Sequence, residues 1–464
     1  MSRLIYSDIN NPNYIVPDVL ITMSDDEELT TSVLSELLGQ HRQLVNLRYK
    51  KLRDAYVGAY PIWKQPNKEK YKPDNRLVVN FAKYITDTMN GFFIGVPIKV
   101  KSVDESIDSY LTFLNKYNDQ DDNNAELSKI CSIYGKGYEV YYNDSETGQI
   151  GITYMNPVEG FMVYDDTNRQ IPKYFINYYF DSDNVMRGEI RSKNIIRYFN
   201  NDGTLHFEDE TIEHSFCDVP ASEFIENEER LSIFESVYSL INAYNKAMSE
   251  KANDVDYFAD AYLKILGAPL DEETLQQIRD NRVINISGSD SENIVVEFMD
   301  KPNADTTQEN LIERLERLIF QISMVADISA DDFGASSGIA LKYKLLSMSN
   351  LAKTKERKFT SGMNRRYKII FSNPINNMNA DDWVNIDYTF TQNFPANLQE
   401  EAQIASQLSG IVSHETQLSI LSNVQDVKKE LNLIEEENQN QYEQSLNTDY
   451  TVALYGNKET ENEQ

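Results

Sequence analysis

Between Ile233 and Leu266, apolar or aromatic residues recur at helical spacing (Ile233, Val237, Leu240, Ile241, Tyr244, Met248, Val255, Phe258, Tyr262, Leu263, Leu266) over 34 residues that hold no proline or glycine. At helical rise such a stripe makes a rod of roughly 50 Å. Gly267 and Pro269 end it abruptly. A small unit of about 40 residues follows. It reads as a short helix at 270–280, then the strands VINIS and NIVVEFM joined by the Gly288-Ser289-Asp290-Ser291 turn, with Pro302 closing it. A second rod begins near Thr306, with Leu311, Leu315, Leu318, Ile322 and Val325 on one face and Ile312, Ile319 and Ala326 beside it. The chain therefore runs out along one helix, builds a compact tip and returns along another.

The rest is organised around this excursion. Residues 1–24 are polar and rich in Asn and Pro and read as an arm; residues 25–60 read as one helix, acidic at its start and basic near its end. Pro61, Pro66 and Pro73 mark a loop. A helix near 77–89 is expected to stop at Gly91, Gly95 and Pro97, with a strand after it. Two shorter helical patterns cover 104–116 and 124–136. From Gly137 to Phe216 the period changes to two, in short aromatic and β-branched segments separated by Asn, Asp and Gly, which predicts an antiparallel sheet. A third long helical pattern covers 339–371, a short strand lies in WVNIDYTF, and amphipathic helices from Leu398 precede a tail rich in Asn, Gln and Glu. The fold class is α+β.

Charge narrows the functions. The 464 residues carry 44 Lys and Arg against 74 Asp and Glu, a formal charge of −30, which opposes nonspecific binding to nucleic acid because that binding depends on cations displacing phosphate counterions. The sign is uneven. Arg42 to Lys83 holds 11 basic and 3 acidic residues, and Gly338 to Phe371 holds 9 and 1, so each stretch is net +8; from Ala396 onward 13 acids face 3 bases, net −10. Such belts read first as solvated faces paired with acidic neighbours. Cys131 and Cys217 fit neither a disulfide framework nor a zinc site. The N-terminus MSRLIYSDINNPNY has no basic region followed by an apolar core, and no window holds 18 uninterrupted apolar residues.

Catalytic motifs do not survive their context. Gly334 to Gly338 spells G-x-S-x-G, but the nucleophile elbow needs a strand before the serine, and the segment here is helical; the sole downstream histidine is His414. Ser336 and Ser337 read instead as capping residues of the next helix. His41, His206, His214 and His414 lack metal spacing. Asp119 to Glu126 lacks the glycine and final glutamate of a calcium loop, and Gly135-Lys136-Gly137 lacks the rest of a phosphate loop. No catalytic residue, metal or cofactor is expected.

The order of parts resembles the portal proteins of tailed bacteriophages, of the type found in long-tailed phages of Gram-positive hosts. The resemblance lies in NGFFIGVPIKV (Asn90 to Val100), in the rod, tip and return rod of 233–327, and in SGIALKYKL (Ser337 to Leu345), and it covers about 25–440. It implies a ring, usually of twelve subunits and in isolation also thirteen, at one capsid vertex of the virion. Such a ring is assembled in the host cytoplasm without a membrane, and double-stranded DNA is packaged and ejected through it. Its implied partners are the large terminase subunit, a head-completion adaptor, and the major capsid and scaffolding proteins. On this chain the resemblance implies an arm (1–24), a wing (25–232), stem helices (233–266 and 306–327) and a clip (267–305). A tunnel loop (328–338), a long wing helix with a short strand (339–397), a crown (398–440) and an acidic tail (441–464) complete the order.

Site residues follow from that mapping. Asp331, Asp332, Ser336, Ser337, Lys342 and Lys344 are expected at the DNA channel, and Asp271, Glu272, Glu273, Arg279, Arg282 and Asp290 at the clip. Lys353, Arg357, Lys358, Arg365 and Arg366 are expected to face a neighbouring subunit, because a head-to-tail ring needs complementary patches on the two sides of each copy. A nonenzymatic helical adaptor or scaffold, and a serine hydrolase using Ser336, are the alternatives.

Overall fold

A computed structural model describes residues 11–69, 72–259, 263–266, 295–298, 305–329, 338–393, 398–421, 423–424 and 427–440. These divide into two compact units, one of residues up to 329 together with 345–393, the other of 330–344 together with 394–464. Helix and sheet are mixed throughout, as the α+β reading expects.

In the first unit, the helix expected across 25–60 is three pieces. Strand β1 (Ile21–Met23) precedes helix α1 (Thr31–Leu44), which Thr30 caps by accepting from the Val33 amide. The acids at 25–28 therefore lie before the helix rather than in its first turn. A π turn at Val45–Tyr49 then interrupts the ladder before α2 (Lys50–Tyr56). The expected arm is also part of the core. Ile15, Val16, Ile21 and Met23 are buried, and β1 pairs in parallel with β5 (Gly160–Asp165).

Helix α3 (Phe81–Ile94), capped by Asn80, runs through Gly91 instead of stopping there. An internal glycine costs a helix about 1 kcal/mol, but burial of Phe92, Phe93 and Ile94 just beyond it offsets that cost. The stop is Gly95, where a Cβ would lie 2.2 Å from the Gly91 carbonyl oxygen. Strand β2 (Lys99–Ser102) follows and pairs antiparallel with the distant β13 (Ile386–Thr389). Helices α4 (Glu105–Tyr117) and α5 (Gln120–Tyr134) lead into the sheets.

One sheet of three strands has the order β10-β3-β4, from Ala221–Ile225, Lys136–Asn143 and Ile150–Met155. The other has six, β1-β5-β6-β7-β8-β9, completed by β6 (Pro172–Phe180), β7 (Met186–Arg191), β8 (Ile195–Asn201) and β9 (Leu205–Glu213). The expected antiparallel sheet is therefore two sheets, extended by strands from outside 137–216. Tyr138, Val140, Met162, Tyr164, Phe175 and Val219 form a shared core.

The first rod is shorter than its stripe. Helix α6 covers Tyr238–Ala259, 22 residues, after a 3-10 turn at Glu235–Val237. Leu263–Leu266, expected to end the rod, is strand β11, antiparallel to β12 (Val295–Phe298) with Leu263 opposite Phe298. An apolar run such as LKIL serves a helix stripe or a strand equally well, and cross-strand pairing decides between them. VINIS, the other strand expected in this unit, lies outside the described residues.

The return helix α7 covers Asp305–Ser323. It runs antiparallel to α6, since Gln308 bonds Asp254, Glu309 pairs with Lys251, and Phe320 joins Tyr244 around Phe81. The third long helix is α8 (Gly338–Lys344) and α9 (Leu346–Phe371), and the division between the units falls at the same place. In the second unit, α10 (Leu398–Gln407) and α11 (His414–Leu418) are linked by Gln417 Nε2 donating to the Ala405 carbonyl at 2.8 Å, and residues 427–440 are helical.

Candidate functional site

Helix α9 carries the second basic belt, and its phase sorts the cations. Met348, Ala352, Phe359, Met363, Tyr367 and Ile370 are buried at helical spacing, and Lys355 and Arg366 fall in the same stripe. Phe359 meets Phe93 of α3 and Phe224 of β10. Gly362 makes that approach feasible, because a Cβ there would lie 2.5 Å from the Phe224 ring.

The two inward cations meet carboxylates on the sheet side. Arg366 Nε and Nη2 donate to Glu139 at 2.7 Å each, and Nη2 donates also to Asn124 Oδ1 at 2.7 Å. Tyr141 and Gln120 donate to the same carboxylate, and neither Arg366 nor Glu139 exposes any side chain. Burial by itself would lower the Arg366 pKa, but Glu139 raises it above its ordinary value. Eleven residues earlier, Lys355 Nζ pairs with Glu226 at 2.8 Å and donates to Ser132 Oγ and the Ser128 carbonyl.

Two further buried pairs join the N-terminal residues to this body. Lys136 meets Asp18 at 2.8 Å; burial would raise the Asp18 pKa, yet Lys136 and Arg48 hold it below the usual value. Arg48, turned inward by the π turn, forms a two-pronged pair with Glu235 at 2.7 Å and donates to the carbonyls of Val16 and Arg230. Gly135-Lys136-Gly137 is thus the foot of a buried ion pair. His41 is also buried, between Tyr178 OH and the Pro157 carbonyl, and desolvation pushes its pKa down to about 4.

A strap positions α6. The amides of Asn75, Leu77 and Val79 donate to Asn253 Oδ1 (2.6 Å), Ser249 Oγ (2.9 Å) and Asn245 Oδ1 (2.8 Å). Two residues of extended chain advance about 6.6 Å and four of helix about 6 Å, so every second amide finds every fourth side chain. Lys68 adds a pair to Glu250. On α7, Ile312, Leu315 and Ile319 are buried while Leu311 and Ile322 are about half exposed, so the apolar face expected from Leu311, Leu315 and Ile322 divides between core and solvent.

The expected site residues fall into three groups. Asp331, Asp332, Ser336 and Ser337 of the channel set, and all six clip residues (Asp271, Glu272, Glu273, Arg279, Arg282, Asp290), lie outside the described residues. Lys342 and Lys344 are exposed on α8. Of the interface set, Arg366 is closed inside its own chain, with no side chain exposed and Glu139 and Asn124 as its partners. Lys353 pairs with Glu356, Lys358 with Glu228 and Arg365 with Asp218, while exposed Arg357 makes no ion pair among the described residues. Lys355, Lys136 and Arg48 were missed as structural cations; for Lys355 the available signal was its place in the apolar stripe of α9.

Among the described residues no cluster of His, Cys, Asp or Glu is arranged to hold a metal, and no helix is long and apolar enough to cross a membrane. The described residues before Ser336 are helix α7 and the coil that follows it to Ser329, and residues 330–337 lie outside the described residues.

Comparison with known proteins adds three findings. The family model described as "Phage portal protein, SPP1 Gp6-like" matches residues 39–444. The portal protein of Clostridium phage phiCD119 is 23% identical over 369 residues, which cover 73% of this chain and 79% of that protein. A chain from the neck of an empty GTA particle is similar at 12% identity with a TM-score of 0.45, over 73% of this chain and 89% of that one.

Proposed function

The chain belongs to the SPP1 Gp6-like family of phage portal proteins, and from that membership we propose that copies of it close into a ring, usually of twelve, at one capsid vertex. The observation that carries this reading is the extent of the family match, which takes in the sheet body, the helix pair and the basic helix. In the proposed ring α6 and α7 are stem helices, and 267–305 is the clip that docks the large terminase subunit and later a head-completion adaptor. The loop at 328–338 faces DNA, the sheets and α9 form the wing, and the helices after Leu398 form the crown. Major capsid and scaffolding proteins surround the ring in the assembling head.

The charge suits a passage. A duplex held by 6 to 10 cation contacts would bind too tightly to slide, so a chain at −30 that pairs many of its cations internally repels and centres the polyanion. Negative-stain microscopy of the purified full chain tests the reading: annuli with a central hole are expected. Solitary particles or pairs at every concentration, with no annulus in capsids either, would overturn it.

A further inference from the structure

We propose that a cationic groove between α9 and the turn that follows β5 receives the acidic edge strand β9 of the next subunit, an assignment that rests on the ring reading. The groove is lined by Arg169, Arg357, Lys358 and Arg365, with Arg230 deeper in it. Some of this charge is already matched: Arg230 pairs with Glu223, Lys358 with Glu228 and Arg365 with Asp218. Exposed Arg169 and Arg357 have no ion pair among the described residues, and Arg365 Nη2 is buried without an acceptor. The groove therefore has donors and positive charge in excess of what its own chain supplies.

The complementary surface lies across the same sheet. Residues 198–213 contain five carboxylates (Asp202, Glu208, Asp209, Glu210 and Glu213) and no lysine or arginine. Within them β9 is the outer strand of the six-stranded sheet among the described residues, approached by α1, and is exposed from Asp209 to Glu213, where Asp209, Glu210 and Glu213 make no ion pair among the described residues. Four strand spacings, about 19 Å, separate β5 from β9, with β6, β7 and β8 between them. Unmatched positive charge on one side and unmatched negative charge on the other side of one rigid sheet is the arrangement a head-to-tail contact requires. Double-helical DNA is the competing polyanion, but it would not account for the acidic edge.

The test uses the full chain, with gel filtration, light scattering and negative-stain images, and circular dichroism to check folding. R169E/R357E and D209K/E210K are each expected to lower the ring fraction at least tenfold, and all four changes in one chain are expected to restore it. R169Q/R357Q, which removes charge without reversing it, gives a smaller loss and serves if a reversal unfolds the chain. Rings unaffected by either pair, or broken by both and not restored by the combination, overturn the contact. So does an R169E/R357E ring that forms normally but retains less labelled duplex DNA. If the unmodified chain makes no ring, the ring reading itself fails.

Discussion

The two basic belts have the same net charge in sequence, +8 each, and very different positions in the molecule. In the first, Lys64, Lys68, Lys83 and Arg76 form exposed or partly exposed pairs with nearby acids, and Arg48 is the belt's deeply buried cation. In the second, Lys355 and Arg366 are sealed against the sheet, while Arg357 is left exposed. The difference teaches that helix phase, and not net charge, decides whether a cation holds the fold or faces outward. A π turn does for Arg48 what the regular stripe of α9 does for Arg366.

The largest effect should come from the buried pair. Arg366→Met or Glu139→Gln each strands a buried partner and is expected to lower unfolding free energy by about 3–5 kcal/mol, whereas the double change R366M/E139L costs much less. Urea unfolding of the three variants measures this, and a loss in the double variant equal to the sum of the two single losses would mean that the pair is not coupled.

A pH effect comes next. His41 is neutral in the folded chain down to about pH 4 but takes up a proton near its ordinary 6.5 when unfolded. Stability is therefore complete above pH 6.5 and declines as pH falls toward 4, by about 3 kcal/mol from this group. Thermal melts from pH 7 to 4.5 with and without His41→Gln isolate it, because the variant should lack this part of the slope.

Third, Gly362→Ala drives a methyl into the Phe224 ring and should cost about 1–3 kcal/mol; Phe224→Leu in the same chain should recover part of it. The smallest effect is expected at the first belt's surface, where Lys68→Ala should change stability by less than about 1 kcal/mol and less still in high salt. A loss as large as that of Arg366→Met would erase the contrast between the belts.

Much of the architecture was legible from pattern. The locations of α4 and α5, the strand-rich middle and an out-and-back pair of helices all follow from periodicity, which depends on neighbours close in sequence. The errors share one cause. Residues 15–23 look like a polar arm until Asp18 meets Lys136 and β1 meets β5, which are contacts over more than a hundred residues. Leu263–Leu266 looks helical until Val295–Phe298 pairs with it. The site is legible less evenly: the basic helix stands out in the sequence, but the charge of Arg366 suggests an outward position, whereas its place in the apolar stripe of α9 turns it inward.

The sequence alone determined the family, the acidic balance with its two basic belts, and the periodic segments, since these depend on residue identity and local spacing. Only the tertiary structure decided which cations are enclosed, where the first rod stops and which strands lie outermost in the six-stranded sheet. Burial, long-range pairing and strand order arise when distant segments pack, and no local pattern specifies the partner.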